Sequence, residues 1–127
     1  IGLAGRPLAV AGRVKRITDG EITFTGAMYA GVRSHLGRTV VLDTGAAELV
    51  ITELHHEPFD PVVFRHCGIA PERKRYLMLK SRIHYRAGFK AMAGHIVECM
   101  GEGVTSADLS IYPYRKLKRP IFPLDPA

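Results

Sequence analysis

The sequence predicts an α+β fold, and three observations carry that prediction. The first half alternates apolar and polar residues between turn signals, Asp60-Pro61 carries helix-start chemistry, and a strand–helix–strand pattern runs from Arg75 to Cys99. The expected order is antiparallel strands in two hairpins, a helix, the strand–helix–strand unit and an extended C-terminal arm.

Leu8, Val10, Gly12 and Val14 alternate with Ala9, Ala11, Arg13 and Lys15, the period-two pattern of a half-buried strand. Thr18-Asp19-Gly20-Glu21 then predicts a tight hairpin turn, because Asp-Gly accepts positive φ. Glu21–Thr25 is the expected partner strand, with Ile22 and Phe24 on one face. Gly26 to Gly37 lacks clean periodicity and reads as a long loop. Arg38–Asp43 and Glu48–Glu53, joined through Thr44-Gly45-Ala46, form the second expected hairpin.

The chain changes character at Phe59. Asp60 suits a helix cap and Pro61 the first turn, where no backbone donor is needed, while Gly68 suits the stop. Pro71-Glu72 marks a turn, Arg75–Lys80 reads as a buried strand, and Tyr85, Phe89, Met92 and Ala93 form the apolar stripe of a second helix. Gly88 inside that helix costs about 1 kcal/mol relative to Ala, which predicts a close packing contact there. His95–Cys99 is one more expected strand, and Gly101-Glu102-Gly103 a turn. Beyond it Pro113, Pro120, Pro123 and Pro126 exclude a long helix or a central strand. Ile111, Tyr112, Tyr114, Ile121, Phe122 and Leu124 are nevertheless too apolar for a free tail, so an arm packed on this domain or a neighbour is expected.

At 127 residues the chain fits one domain. No apolar run approaches the roughly 20 residues of a membrane-spanning helix, so no membrane segment is read. Ile1 rather than Met stands first, so the true N-terminus is expected upstream, which leaves a signal peptide open. Cys67 and Cys99 could form one bridge, but their spacing does not require it; a reduced pair in a cytoplasmic protein is the expectation. The net charge of +6 gathers in Arg73–Lys74–Arg75 and in Arg115–Lys116–Leu117–Lys118–Arg119. Tyr112, Tyr114, Leu117 and Pro120 interleave the second run, so solvated surface is favoured over a nucleic-acid interface.

The search for chemistry is mostly negative. His55 and His56 would point to opposite faces of an extended segment, and the HExxH spacing is absent. There is no Gly-x-Ser-x-Gly elbow, no P-loop and no Gly-x-Gly-x-x-Gly. Convergent polar chemistry is confined to Lys80–Arg86, at the junction of a predicted strand and helix. Ser81 could cap the helix, and His84 and Arg86 could hold a carboxylate or carbonyl beside its N-terminus.

Lys80-Ser81-Arg82-Ile83-His84-Tyr85-Arg86-Ala87-Gly88-Phe89 resembles a signature of the microcystinase C (MlrC) metallopeptidase family. Asp19-Gly20, Phe24–Gly31, Phe59-Asp60-Pro61, Gly68-Ile69 and Pro113–Asp125 fall in that family's order as well. The resemblance implies that residues 1–127 are the C-terminal domain of a longer two-domain protein, without that domain's opening portion. It implies zinc in the full-length protein, held by an N-terminal metal-binding domain, with no zinc ligand in this chain. It also implies a peptide or amide substrate; the family's type member degrades the peptide toxin microcystin. On that reading Ser81, His84, Tyr85 and Arg86, with Tyr29, face the metal domain and position substrate. Arg82 and His55-His56-Glu57-Pro58 depart from the family pattern, which points to a subgroup with its own substrate. The alternative is a docking or oligomerisation domain that uses the aromatic, basic arm, with a homo-oligomer as its product.

Overall fold

The computed structural model describes residues 8–99, 106 and 108–125. They fall into a larger unit, Leu8–Ile96, and a second that holds the described residues from Val97 onward. The larger unit contains β1 (Arg13–Thr18), β2 (Glu21–Thr23), β3 (Arg33–His35), β4 (Thr39–Asp43), β5 (Glu48–Thr52), α1 (Val62–Arg65) and α2 (Arg86–Phe89). All strand pairs are antiparallel, in a three-stranded sheet ordered β1-β4-β5 and a two-stranded sheet β2-β3. The α+β class stands.

The pairing of the first strands differs from the expectation. Asp19-Gly20 does turn the chain: Gly20 has φ +81°, and Asp19 Oδ1 accepts from the Glu21 N–H at 3.1 Å. Yet the strands on either side of this turn belong to different sheets, β1 pairing with β4 and β2 with β3. A second glycine explains this. A Cβ on Gly20 would lie 1.9 Å from the Gly37 carbonyl oxygen, and Leu36 N–H donates to Gly20 O at 2.9 Å. The two glycine corners therefore nest, and the chain passes between sheets where a simple hairpin was expected. The strand also begins at Arg13 rather than Leu8, and the expected loop 26–37 contains β3. The β4–β5 hairpin forms as the sequence predicts, Val41 opposite Val50.

The core sits between the β2–β3 hairpin and α1. Ile22, Phe24, Leu36 and Val63 are buried together, with Phe59, Val62 and Phe64 packed against them. α1 starts where Asp60 Oδ1 accepts the Val62 N–H at 2.8 Å and stops at Gly68, φ +76°. α2 docks edge-on through Phe89, whose ring is 6.0 Å from that of Phe64. The close contact expected at Gly88 is present: a Cβ there would lie 2.4 Å from Phe59 O.

The buried strand expected at Arg75–Lys80 is corrected. This segment and His95–Cys99 run without a ladder partner among the described residues, and Tyr76 and Met78 are 80% and 96% exposed. Apolar composition favours extended backbone, but a strand needs a neighbour to take its N–H and C=O groups.

In the second unit Asp108 caps a 3-10 turn, Leu109–Ile111, by accepting from Ser110 N–H at 3.0 Å. Tyr112 Oη accepts from Ser106 N–H at 2.6 Å, and Arg119 pairs with Asp125. Leu109, Tyr114, Leu117, Ile121 and Phe122 border a small apolar hollow of about 170 Å³. The turn expected at Gly101-Glu102-Gly103 lies outside the described residues.

Candidate functional site

Between β5 and α1 the segment His55–Pro61 is pinned at both ends of its polar centre. His56 packs its ring against Phe24 and Phe59, with centroids at 5.6 and 5.3 Å. Phe59 N–H donates to Glu57 O at 2.9 Å, closing a tight turn around Pro58. Asp60, 1% exposed, then accepts the N–H groups of Thr25, Gly26 and Val62 at 2.9, 2.7 and 2.8 Å. Burial pushes the Asp60 carboxyl up, and the N–H donors outweigh it, so the group lies below its ordinary 3.8.

Glu57, held in this frame, organises the predicted segment. One of its carboxylate oxygens accepts the Ser81 hydroxyl, and the other meets His84 Nδ1 at 2.8 Å. Burial raises the Glu57 carboxyl, but Ser81, His84 and the Arg82 N–H lower it further, leaving it below the usual carboxylate range. A carboxylate can only accept here, so His84 Nδ1 carries the proton and Nε2 faces away from the clamp. Ser81 Oγ accepts the Tyr85 N–H at 3.1 Å, but α2 begins at Arg86 with Tyr85 as its N-cap, so Ser81 stands too far upstream to be the helix cap that was expected. Donating to Glu57 and accepting from Tyr85, Ser81 ties the start of the segment to both.

The five predicted residues divide. Ser81 and His84 meet on Glu57; Tyr85 is buried, and the Arg86 guanidinium lies over its ring at 5.3 Å. Within the segment, His84 and Arg86 are exposed. Tyr29 belongs to the β2–β3 loop, at φ 59° and 60% exposed, its ring 5.7 Å from Phe59 and 6.2 Å from Phe24. Its link to Ser81–Arg86 is indirect, through the segment that carries both Phe59 and Glu57. The expected helix-end anion site is corrected: α2 has only four residues, too few for their peptide dipoles to sum to a useful field.

Glu57 is the residue that sequence reasoning missed. It stands 24 residues from Ser81, and no periodicity links the two. Its place in His55-His56-Glu57 drew attention toward metal ligation instead. Among the described residues no group of three or more His, Cys, Asp or Glu side chains is arranged to hold a metal. Glu57 and His84 supply two donors already bonded to each other, which does not fit a zinc site.

Cys67 and His66 do not form a reactive pair either. The sulfur is 3.3 Å from Nε2 and 3.7 Å from Nδ1. Such similar distances place it beside the ring, since an in-line bond to one nitrogen leaves the other much farther away. Burial raises the Cys67 thiol, which keeps it protonated.

Comparison with known proteins places the chain in a family. The family described as MlrC C-terminus matches residues 2–116. The chain is 30% identical over 123 residues to Microcystinase C of Sphingomonas sp., covering 97% of this chain and 23% of that protein. Its fold is similar to the crystal structure of the "Putative metallopeptidase" from Mesorhizobium sp. BNC1, with a TM-score of 0.73 and 22% identity over 90% of this chain and 23% of the other. The chain thus spans about a quarter of the length of these relatives. With the Glu57-anchored Ser81–Arg86 segment lying inside the matched residues, this chain belongs to the MlrC C-terminal domain family.

Proposed function

We propose that this chain is the substrate-positioning C-terminal domain of a zinc-dependent peptidase or amidohydrolase whose metal ligands lie on an N-terminal domain. The observation that carries the proposal is the Glu57 clamp, which fixes Ser81, Arg82 and His84 from one carboxylate and leaves His84 and Arg86 outward. A cleft residue must be held to within a fraction of an ångström to favour a transition state, and a side chain braced in this way meets that need. The name of the Sphingomonas relative supports a peptide substrate. The chemistry of the metal belongs to the rest of the protein. What these residues do is bind and orient: Arg86 as a fork for a carboxylate or carbonyl, His84 Nε2 as a hydrogen-bonding partner, and Tyr29 as an aromatic edge.

The exposed apolar face of the three-stranded sheet supports a covering domain. Val14, Ile17 and Ile51 are 52%, 65% and 50% exposed, a patch unusual for a surface meant for water. Two free thiols suit a cytoplasmic setting, and no helix among the described residues is long and apolar enough to cross a membrane. In the intact enzyme Arg86→Ala is expected to lower kcat/KM at least tenfold, roughly 1.4 kcal/mol of transition-state stabilisation. Unchanged kinetics in a folded variant would remove Arg86 from this role.

A second reading, a docking or oligomerisation domain, is favoured by the apolar hollow of the second unit and by Phe122, 80% exposed. Deleting Tyr112–Ala127 and measuring mass in solution tests it; an unchanged oligomeric state and stability count against the arm as an interface.

A further inference from the structure

Lys15 and Arg16 are neighbours in β1, and neighbours in a regular strand point to opposite faces. Here both line one cleft. The cause is a β-bulge: Val14 stands opposite Leu42 and Arg16 opposite Val41, so Lys15 is an extra residue and the alternation breaks. Arg73 and Lys74, at the end of the 3-10 turn Pro71–Arg73, line the same cleft, which encloses about 370 Å³. That volume is within the roughly 300–1,000 Å³ of small-molecule sites.

The lining carries four cations against a single carboxylate, Glu48. Each Glu48 oxygen takes one lysine, Lys15 or Lys74, and those two hydrogen bonds hold its carboxyl below the usual range. The lysines are thereby fixed in place while their charges are only half offset. Arg16 and Arg73 make no hydrogen bond or close ion pair among the described residues, although the Glu72 carboxylate, which pairs with Arg65, also feels the charge of Arg73. Arg16 is braced all the same: its guanidinium lies against Gly68, where a Cβ would come within 3.2 Å of Cζ. Two guanidinium forks that no carboxylate hydrogen-bonds, beside two pinned ammonium groups, make a site of excess positive charge. A guanidinium fork matches the paired oxygens of a carboxylate or phosphate.

We propose that this cleft binds a small oxyanion carrying at least two negative charges, a phosphate monoester or a dicarboxylate. It is gripped by the Arg16 and Arg73 forks, with Lys15 and Lys74 adding charge. The site shares no lining residue with the Glu57–His84 group, so it stands or falls apart from the proposed peptidase role.

Isothermal titration of the intact protein at low ionic strength, with inorganic phosphate, glutarate and acetate as probes, tests the proposal. Phosphate or glutarate is expected to bind at least tenfold more tightly than acetate, and whichever is preferred identifies the class. The double variant Arg16→Gln/Arg73→Gln should weaken that binding at least tenfold, while Lys90→Gln/Lys116→Gln, which removes equal charge elsewhere, should not. Both arginines are exposed, so these variants should retain the fold, checked by thermal melting; Arg73→Gln alone provides a milder form of the same test. Failure of both dianions to bind at millimolar concentration overturns the proposal. So does equal weakening by the two double variants, which would reduce the effect to overall charge.

Discussion

Asp60 shows how much one side chain can hold. Its carboxylate collects N–H groups from Thr25, Gly26 and Val62, tying the end of the β2 segment to the start of α1. Asp60→Ala leaves those donors buried without partners, and unsatisfied groups cost about 1–3 kcal/mol each before relaxation. A loss of roughly 2–4 kcal/mol in denaturant unfolding is expected. The sign with pH follows from the depressed carboxyl. A group whose folded pKa lies below its unfolded value contributes fully above the unfolded value, here the ordinary 3.8. That contribution is lost as pH falls through the lower, folded value. Glu57 is lowered as well and acts in the same direction. Stability should therefore drop as pH falls from about 5 toward 2, and Asp60→Asn should flatten that limb; an unchanged acid limb in the variant would show that Asp60 is not its source. Asp60 as a helix cap was legible from Asp-Pro before an apolar run. Its bonds to Thr25 and Gly26 were not, because they span about 35 residues of chain.

Among the elements, α2 depends on shape more than on propensity. Its four residues are too few to stand alone, and they hold through Phe89 against Phe64 and through Gly88 against Phe59-Asp60-Pro61. Gly88→Ala, which would favour an isolated helix, should instead destabilise this one by about 1–3 kcal/mol because the new Cβ meets backbone. A higher melting temperature in Gly88→Ala would refute the close contact. Since Phe59 and Asp60 flank the Glu57 turn, the same variant should, if the proposed substrate-positioning role holds, also raise KM of the intact enzyme by displacing Ser81 and His84. The sequence disclosed this contact as a helix-breaking glycine within an apolar stripe, though not its partner. β2 and β3 show the reverse case. Arg33-Ser34-His35 has no apolar alternation, and pairing with β2 alone makes it a strand. The failed expectation at Arg75–Lys80 has the same cause: alternation selects extended backbone but does not name a neighbour.

At the scale of the whole molecule, the apolar side chains that stay exposed carry the most information. If Val14, Ile17 and Ile51 lie under another domain, Ile17→Ser/Ile51→Ser should change the stability of the isolated chain little. Exposed positions usually move stability by less than about 0.5 kcal/mol. The intact protein should lose several times more, because burying each such side chain is worth about 1.5–3 kcal/mol. Equal shifts in the two proteins, read by thermal melting, would argue that this face is open in both. The sequence by itself determined the α+β class, the β4–β5 hairpin, both ends of α1 and the glycine contact in α2. Each rests on local chemistry: period, cap, turn residue or motif. Only the tertiary structure decided the sheet order, the nested glycines at 20 and 37, the Glu57 clamp and the cleft that gathers Lys15, Arg16, Arg73 and Lys74. Those depend on contacts between residues far apart in the chain, where the strength of a pairing is set by geometry that no local pattern encodes.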